Sequence, residues 1–166
     1  YFRELYKRSF YGKSEVRPKK PAYVKFSYLF VKHTAFPVMK ILMRPRIIAD
    51  SEAANVALYS QKRMLMICNH TWWIDNPLMY YIFKRRNPRS VAAKDIAEKV
   101  KAFKIMQTTM GCVLMDRYGY DWNSIKTCLE HLNNEGALII CPEGTFNYEE
   151  KLRPFHTGAA MMSVMT

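Results

Sequence analysis

The stretch Met64-Leu-Met-Ile-Cys68-Asn69-His70-Thr71-Trp72-Trp73-Ile74-Asp75-Asn76-Pro77 decides the fold. Its opening apolar run, bounded by a polar turn, reads as a short buried strand over Met64–Cys68. Asn76-Pro77 then starts a helix, because proline is tolerated in a first turn where its missing N–H would have had no partner. That helix is expected to run to about Arg86, with Lys84, Arg85 and Arg86 complementing its negative end. The alternation continues downstream. Val91–Ala93 reads as a second strand. Asp95 and Glu98 have capping-box spacing for a helix through about Lys104. Cys112–Met115 is a third strand, and Ile125, Cys128, Leu129 and Leu132 share one helical face. Gly136 suits the cap region that follows, and Ala137–Cys141 is a fourth strand. Strands and helices alternating over short links predict an α/β domain: a mixed, largely parallel sheet with crossover helices.

Upstream the chain changes character. Residues 1–46 hold twelve Lys/Arg and two acids, Glu4 and Glu15, a net of +10 out of +12 for all 166 residues. Residues 22–43 place Val24, Tyr28, Val31, Ala35, Val38 and Leu42 at helical spacing. Lys25, Lys32 and Lys40 interrupt that run, and Pro37 is expected to kink it. The reading is a basic amphipathic helical segment over 1–46 before an α/β domain over 47–166. Such a segment seeks an anionic partner, and a basic, aromatic, amphipathic helix suits a membrane interface. Packing on the domain core is the competing reading, and both hold if different faces are used.

Composition bounds the rest. Apolar residues make up 49% and charged residues 24%, which excludes wholesale disorder. No run reaches the length of a transmembrane helix. Cys68, Cys112, Cys128 and Cys141 include no CxxC pair, so no zinc site is expected, and buried reduced thiols are the simplest reading. The apolar ending, Met161 to Thr166, resembles the middle of an element, so the domain is expected to continue.

In open α/β sheets, ligands sit beyond the carboxyl ends of the strands. Three polar clusters fall there. His70 and Asp75 flank a strand-to-helix turn that can join imidazole to carboxylate, leaving the other ring nitrogen as a base. Arg117 ends a strand six residues after Gly111, and a fixed guanidinium suits a phosphate. A salt bridge with Asp116 or Glu143 is the simpler alternative. Glu143-Gly144-Thr145 forms a polar turn after the fourth strand. The large aromatics Trp72 and Trp73 either pack as core, which is the default, or shape a ligand path or touch an interface.

Taken together and in this order, the clusters resemble the PlsC-type glycerolipid acyltransferases. The NHxxxxD motif is matched by Asn69, His70 and Asp75. A Gly, apolar strand and Arg are matched by Gly111 and Arg117, and the PEGT motif by Pro142, Glu143, Gly144 and Thr145. Pro154, Phe155 and Gly158 match the Pro-led fourth motif more loosely. Val91-Ala-Ala-Lys94 resembles the family's strand ending in Lys. Two positions depart: Trp72 stands where Ser is frequent, and Phe146 where Arg often follows EGT.

The resemblance implies a glycerol-3-phosphate acyltransferase-like fold and an O-acyl transfer. In it His70, oriented by Asp75, deprotonates a hydroxyl of a lysophospholipid (1-acyl-glycerol-3-phosphate above all) or of glycerol phosphate. The alkoxide attacks the thioester of acyl-CoA or acyl-carrier protein. Arg117, Glu143, Gly144 and Thr145 would frame the acceptor, with Gly111 beside them and Lys94 adding positive charge. Pro154 would lie nearer the acyl donor. No metal or prosthetic group is implied, and the donor is a co-substrate. The implied setting is monotopic, on the cytoplasmic face of a membrane, with lipids as partners of the basic segment. Two alternatives stay open: a non-catalytic module of this fold on anionic membrane, and a thioester hydrolase using the same dyad on water. Nothing in the chain resembles a nucleic-acid-binding motif.

Overall fold

The structure is a computed structural model that describes residues 22–59, 62–84, 86, 88–134, 136–149 and 151–166. The basic residues 1–21 lie outside the described residues. The elements in chain order are α1 (Ala22–Met43), α2 (Glu52–Tyr59), β1 (Met64–Ile67), α3 (Asp75–Ile82), β2 (Arg89–Ala93), α4 (Lys94–Lys99), α5 (Lys101–Met110), β3 (Val113–Met115), α6 (Trp122–Asn133), β4 (Ala137–Ile140) and α7 (Gly158–Met165).

The four strands form one sheet in the order β1-β4-β2-β3, and every pairing is parallel. The expectation of a largely parallel α/β sheet holds, and no antiparallel strand accompanies it among the described residues. Parallel strands covered on both faces must be apolar throughout. Central β4 meets that condition, with all four residues buried. Its alternating side chains feed two cores. Leu138 and Ile140 join Ile125, Cys128, Leu129 and Leu132 of α6 and Met162 of α7. Ala137 and Ile139 join Tyr28 and Phe36 of α1, Tyr80 of α3 and Met110 of α5.

Helix α1 is thus part of the core as well as a preamble to it. Tyr28 and Phe36 meet edge to face, Phe36 meets Tyr81 likewise, and the Tyr28 hydroxyl donates to the Lys84 carbonyl. The buried stripe is offset from the one expected. Tyr28 and Val31 face inward, but Phe36 and Met39 complete the face, whereas Val38 and Leu42 are exposed. Phe36 adds edge-to-face contacts with Tyr28 and Tyr81 to that face. The helix continues through Pro37 to Met43.

Three local expectations need correction. Helix α3 begins at Asp75 and not at Pro77, and ends at Ile82, four residues before Arg86. Asp95 and Glu98 do not cap a helix. The helix begins at Lys94, so Asp95 lies inside its first turn with its carboxylate on Arg117, and Ala93 at the cap position has no side-chain acceptor. The helix expected through Lys104 is two helices, because Val100 is extended at φ −126° and interrupts it. Helix α5 closes on Gly111 at φ 73°, a left-handed cap that glycine adopts without strain.

Candidate active site

All four strands point their carboxyl ends the same way. The segments that follow them, starting at Cys68, Lys94, Asp116 and Cys141, therefore converge on one edge. A cavity of about 930 Å³ opens there. Its polar wall includes His70, Arg117, Glu143 and His156. Its apolar wall includes Phe36 and Met39 of α1 and Phe103 of α5.

His70 and Asp75 meet. His70 Nδ1 donates to Asp75 Oδ2 at 3.1 Å. The same oxygen accepts the backbone amides of Thr71 and Trp72, each at 2.8 Å. A turn closes the arrangement, with the Asp75 amide donating to the Trp72 carbonyl at 3.1 Å. Asp75 opens α3, so its carboxylate is fixed by the turn that starts the helix. A carboxylate only accepts, so Nδ1 carries a proton, and in the neutral ring Nε2 keeps the lone pair. That is the tautomer a general base requires. Both side chains are largely but not fully shielded, at 16% and 21% exposure.

The imidazole is held on a second side. The Phe146 ring lies 4.3 Å from it, and the Asn147 amide donates to the His70 carbonyl at 2.6 Å. Asn147 is itself buried and ties this segment to Glu143, donating to Glu143 Oε2 at 2.6 Å and to the Lys151 carbonyl at 2.8 Å. The Arg153 amide adds a third contact, to Glu143 Oε2. Glu143 is only 3% exposed and lines the cavity, yet its Oε1 meets no partner among the described residues. A buried carboxylate oxygen without a donor is costly unless a ligand supplies one.

Arg117 does form a salt bridge, but with neither Asp116 nor Glu143. Nη2 donates to Asp95 Oδ2 at 2.8 Å, and Nη1 donates to the Gly144 carbonyl at 3.1 Å. The guanidinium thereby joins the segments after β2, β3 and β4. Its hydrogen bond holds the Asp95 carboxyl below the usual range. Gly144, at φ 70°, makes the turn that presents this carbonyl. A side chain there would also strike the His156 ring, 2.9 Å from where a Cβ would stand.

The remaining expected residues divide. Thr145 lines the cavity beside Gly144, and from the fourth motif His156 and Gly158 do so too. Lys94, Gly111 and Pro154 do not line it. Lys94 is exposed at the start of α4, and its charge acts on Asp121. Gly111 serves the cap of α5. Pro154 is exposed, two residues before the His156 amide that binds the Pro142 carbonyl at 2.8 Å. Trp72 and Trp73 are not core: they are 51% and 50% exposed and meet edge to face, with Trp73 on the cavity wall.

Sequence reasoning missed Asp95, Phe146 and Asn147. Only the strand register brings Asp95 to Arg117. Ala93 and Met115 are register partners, so Asp95 and Arg117 each stand two residues past one paired rung. Spacing along the chain cannot reveal that β2 and β3 are neighbours.

No curated protein and no solved structure matches the chain. A family model described as Acyltransferase does match it, over residues 46–166. That span takes in every strand of the sheet and the whole His70–Asp75 turn, and on that footing the chain belongs to the acyltransferase family, transferases of acyl groups.

Proposed function

We propose that the protein is an O-acyltransferase of glycerolipid synthesis. It moves a fatty acyl group from acyl-CoA or acyl-carrier protein to a hydroxyl of 1-acyl-glycerol-3-phosphate, another lysophospholipid or glycerol phosphate. The observation that carries this reading is the His70–Asp75 hydrogen bond at a cavity lined by a few polar side chains and many apolar ones. His70 Nε2 takes the proton of the acceptor hydroxyl as its oxygen attacks the thioester carbon. The tetrahedral intermediate collapses, the C–S bond breaks, and the thiolate leaves with the proton that His70 returns. Asp75 keeps Nδ1 protonated and stabilises the imidazolium in between. No acyl-enzyme is required.

Arg117 suits the acceptor's phosphate. Asp95 and Gly144 use two of the guanidinium's five N–H donors, so the group is fixed and still has donors to offer. The unpartnered Glu143 Oε1 suits an acceptor hydroxyl. Gly144 and Thr145 frame the same corner, and the wall formed by α1 and α5 suits an acyl chain.

Residues 1–46 would dock the domain on anionic lipid at the cytoplasmic face. Support comes from the net charge of +10 and from the outer face of α1, where Phe26, Phe30 and Ile41 are largely exposed while Tyr28 and Phe36 are buried. No described helix is long and apolar enough to cross a membrane. A helix anchored on one side and apolar on the other fits an interfacial position.

The test is thiol release from acyl-CoA with glycerol-3-phosphate, lysophosphatidate and other lysolipids as acceptors, products being identified by mass. Acceptor-dependent release, lost in His70→Ala, is expected. Release that ignores the acceptor would replace this reading with a hydrolase. Vesicle binding with neither release nor dependence on His70 would replace it with a membrane-binding module.

A further inference from the structure

Two thiols lie side by side where the sheet meets the site. Cys68 follows β1 and Cys141 follows β4. Ile67 and Ile140 are register partners, and the Cys68 amide donates to the Ile140 carbonyl at 3.2 Å, so the ladder continues one step to this pair. The two Sγ atoms are 3.3 Å apart. Adjacent strands lie about 4.8 Å apart, inside the range of roughly 4.4–6.8 Å between Cα atoms that a disulfide spans. Bond formation then needs the sulfurs to approach by only about 1.2 Å.

The other two cysteines offer no such chemistry. Cys128 is fully buried in the core, where burial pushes its thiol up to about 12. Cys112 is held by Ser90 and Tyr80, and burial raises it too. In the Cys68–Cys141 pair the neighbouring thiol bonds the Cys68 sulfur and lowers it, while Cys141 is raised. Either sulfur can donate to the other, so each thiol of the pair can steady the other's thiolate. Both residues are partly exposed, and Cys141 lines the cavity.

We propose that Cys68 and Cys141 form a dithiol exchange site, which a low-molecular-weight disulfide converts into an intramolecular disulfide that disables the adjoining site. The Cys68 thiolate attacks one sulfur of the small disulfide, forming a mixed disulfide and releasing one thiolate. Cys141 then gives up its proton and attacks the Cys68 sulfur. The Cys68–Cys141 bond forms and the second small thiolate leaves. Two protein thiols are oxidised, one small disulfide is reduced, and the two protons end on the two released thiols. Cys68 stands two residues before His70, and Cys141 two before Glu143. The bond would therefore tie together, by a covalent link, the two segments that build the site. A shift near 1 Å at a reacting group costs on the order of 100-fold in rate.

The test treats the reduced full-length protein with glutathione disulfide and reads intact mass and a non-reduced peptide map. A mass lower by two hydrogens with a 68–141 link is expected, and Cys68→Ser, or Cys68→Ala if the first folds poorly, should form no internal link. An adduct that stops at the mixed disulfide, a link between other cysteines, or no reaction overturns the site. The activity arm rests on the acyltransferase reading. Acyl transfer should fall on the order of 100-fold in the linked protein, return with dithiothreitol, and be indifferent to glutathione disulfide in the Cys68 variant. A linked protein that transfers acyl groups at the reduced rate overturns the coupling. Reduced protein with no transfer counts against the acyltransferase reading, while the peptide map still decides the dithiol site.

Discussion

The Phe146 ring lies against the His70 imidazole, with centroids 4.3 Å apart and planes 38° apart. It also stacks with Tyr148, with centroids 6.1 Å apart. The carboxylate of Asp75 fixes one ring nitrogen, and Phe146 fixes the ring's tilt. Phe146→Ala should lower kcat about tenfold by loosening the base, with the acceptor KM little changed. Phe146→Leu should recover part of the loss. Steady-state kinetics of the three proteins check this, and an unchanged kcat in the alanine variant would count against a positioning role.

Asp75 serves as acceptor for the imidazole and for two amides at once. Asp75→Asn keeps the volume but offers no carboxylate to a protonated Nδ1. Catalysis should fall by roughly 100- to 10,000-fold, the range for loss of general-base function. Folding monitored by circular dichroism should persist, which separates lost chemistry from a lost turn.

Arg117 holds Asp95 and the Gly144 carbonyl with two different nitrogens. Lysine cannot reproduce that fork. Arg117→Lys should raise the KM for a phosphate-bearing acceptor about tenfold and leave the KM for acyl-CoA nearly unchanged. Asp95→Asn should act in the same direction, and the two changes should be less than additive in a double-mutant cycle. Full additivity would mean that Asp95 does not position the guanidinium.

Asp121 caps α6, accepting the Ser124 amide at 3.1 Å, and also accepts the Asp116 amide at 3.0 Å. The Asp116 hydrogen bond is the largest cause of its carboxyl being held below the usual range. A depressed folded-state value gives stability that is complete above the ordinary aspartate pKa of about 3.9 and is lost as pH falls through the folded value. Asp121→Ala should cost about 1 kcal/mol near neutral pH. The difference between the two proteins should shrink in acid, which urea unfolding at several pH values measures.

The outer face of α1 carries Phe26, Phe30 and Ile41, while its inner face is part of the core. Phe30→Glu with Ile41→Glu should reduce sedimentation with anionic vesicles several-fold, as two apolar contacts with lipid are replaced by charges. The melting temperature should hold, since neither residue is buried. Deleting residues 1–46 is a poorer experiment, because it also strips Tyr28 and Phe36 from the sheet.

The strands were legible because a parallel strand covered on both faces is a short apolar run, and Ala137–Ile140 is one. The His70–Asp75 pair was legible because a turn joins residues five apart. Core is the default for Trp72 and Trp73 because size favours burial, but both are half exposed on the strand-to-helix turn, and Trp73 lines the cavity. The Asp95–Glu98 spacing also misled, because the helix already begins at Lys94, with the Asp95 carboxylate on Arg117.

By itself the sequence determined the α/β class, the uneven distribution of charge and the motifs that end each strand. All of these are local, written in periodicity and spacing of a few residues. The tertiary structure decided the strand order, and through it which strand ends are neighbours. Arg117 joins Asp95 and Gly144, and Cys68 meets Cys141, because β3 lies beside β2 and β1 beside β4. Strand order is set by how the whole chain buries its apolar faces, a sum over distant contacts that no short window of sequence contains.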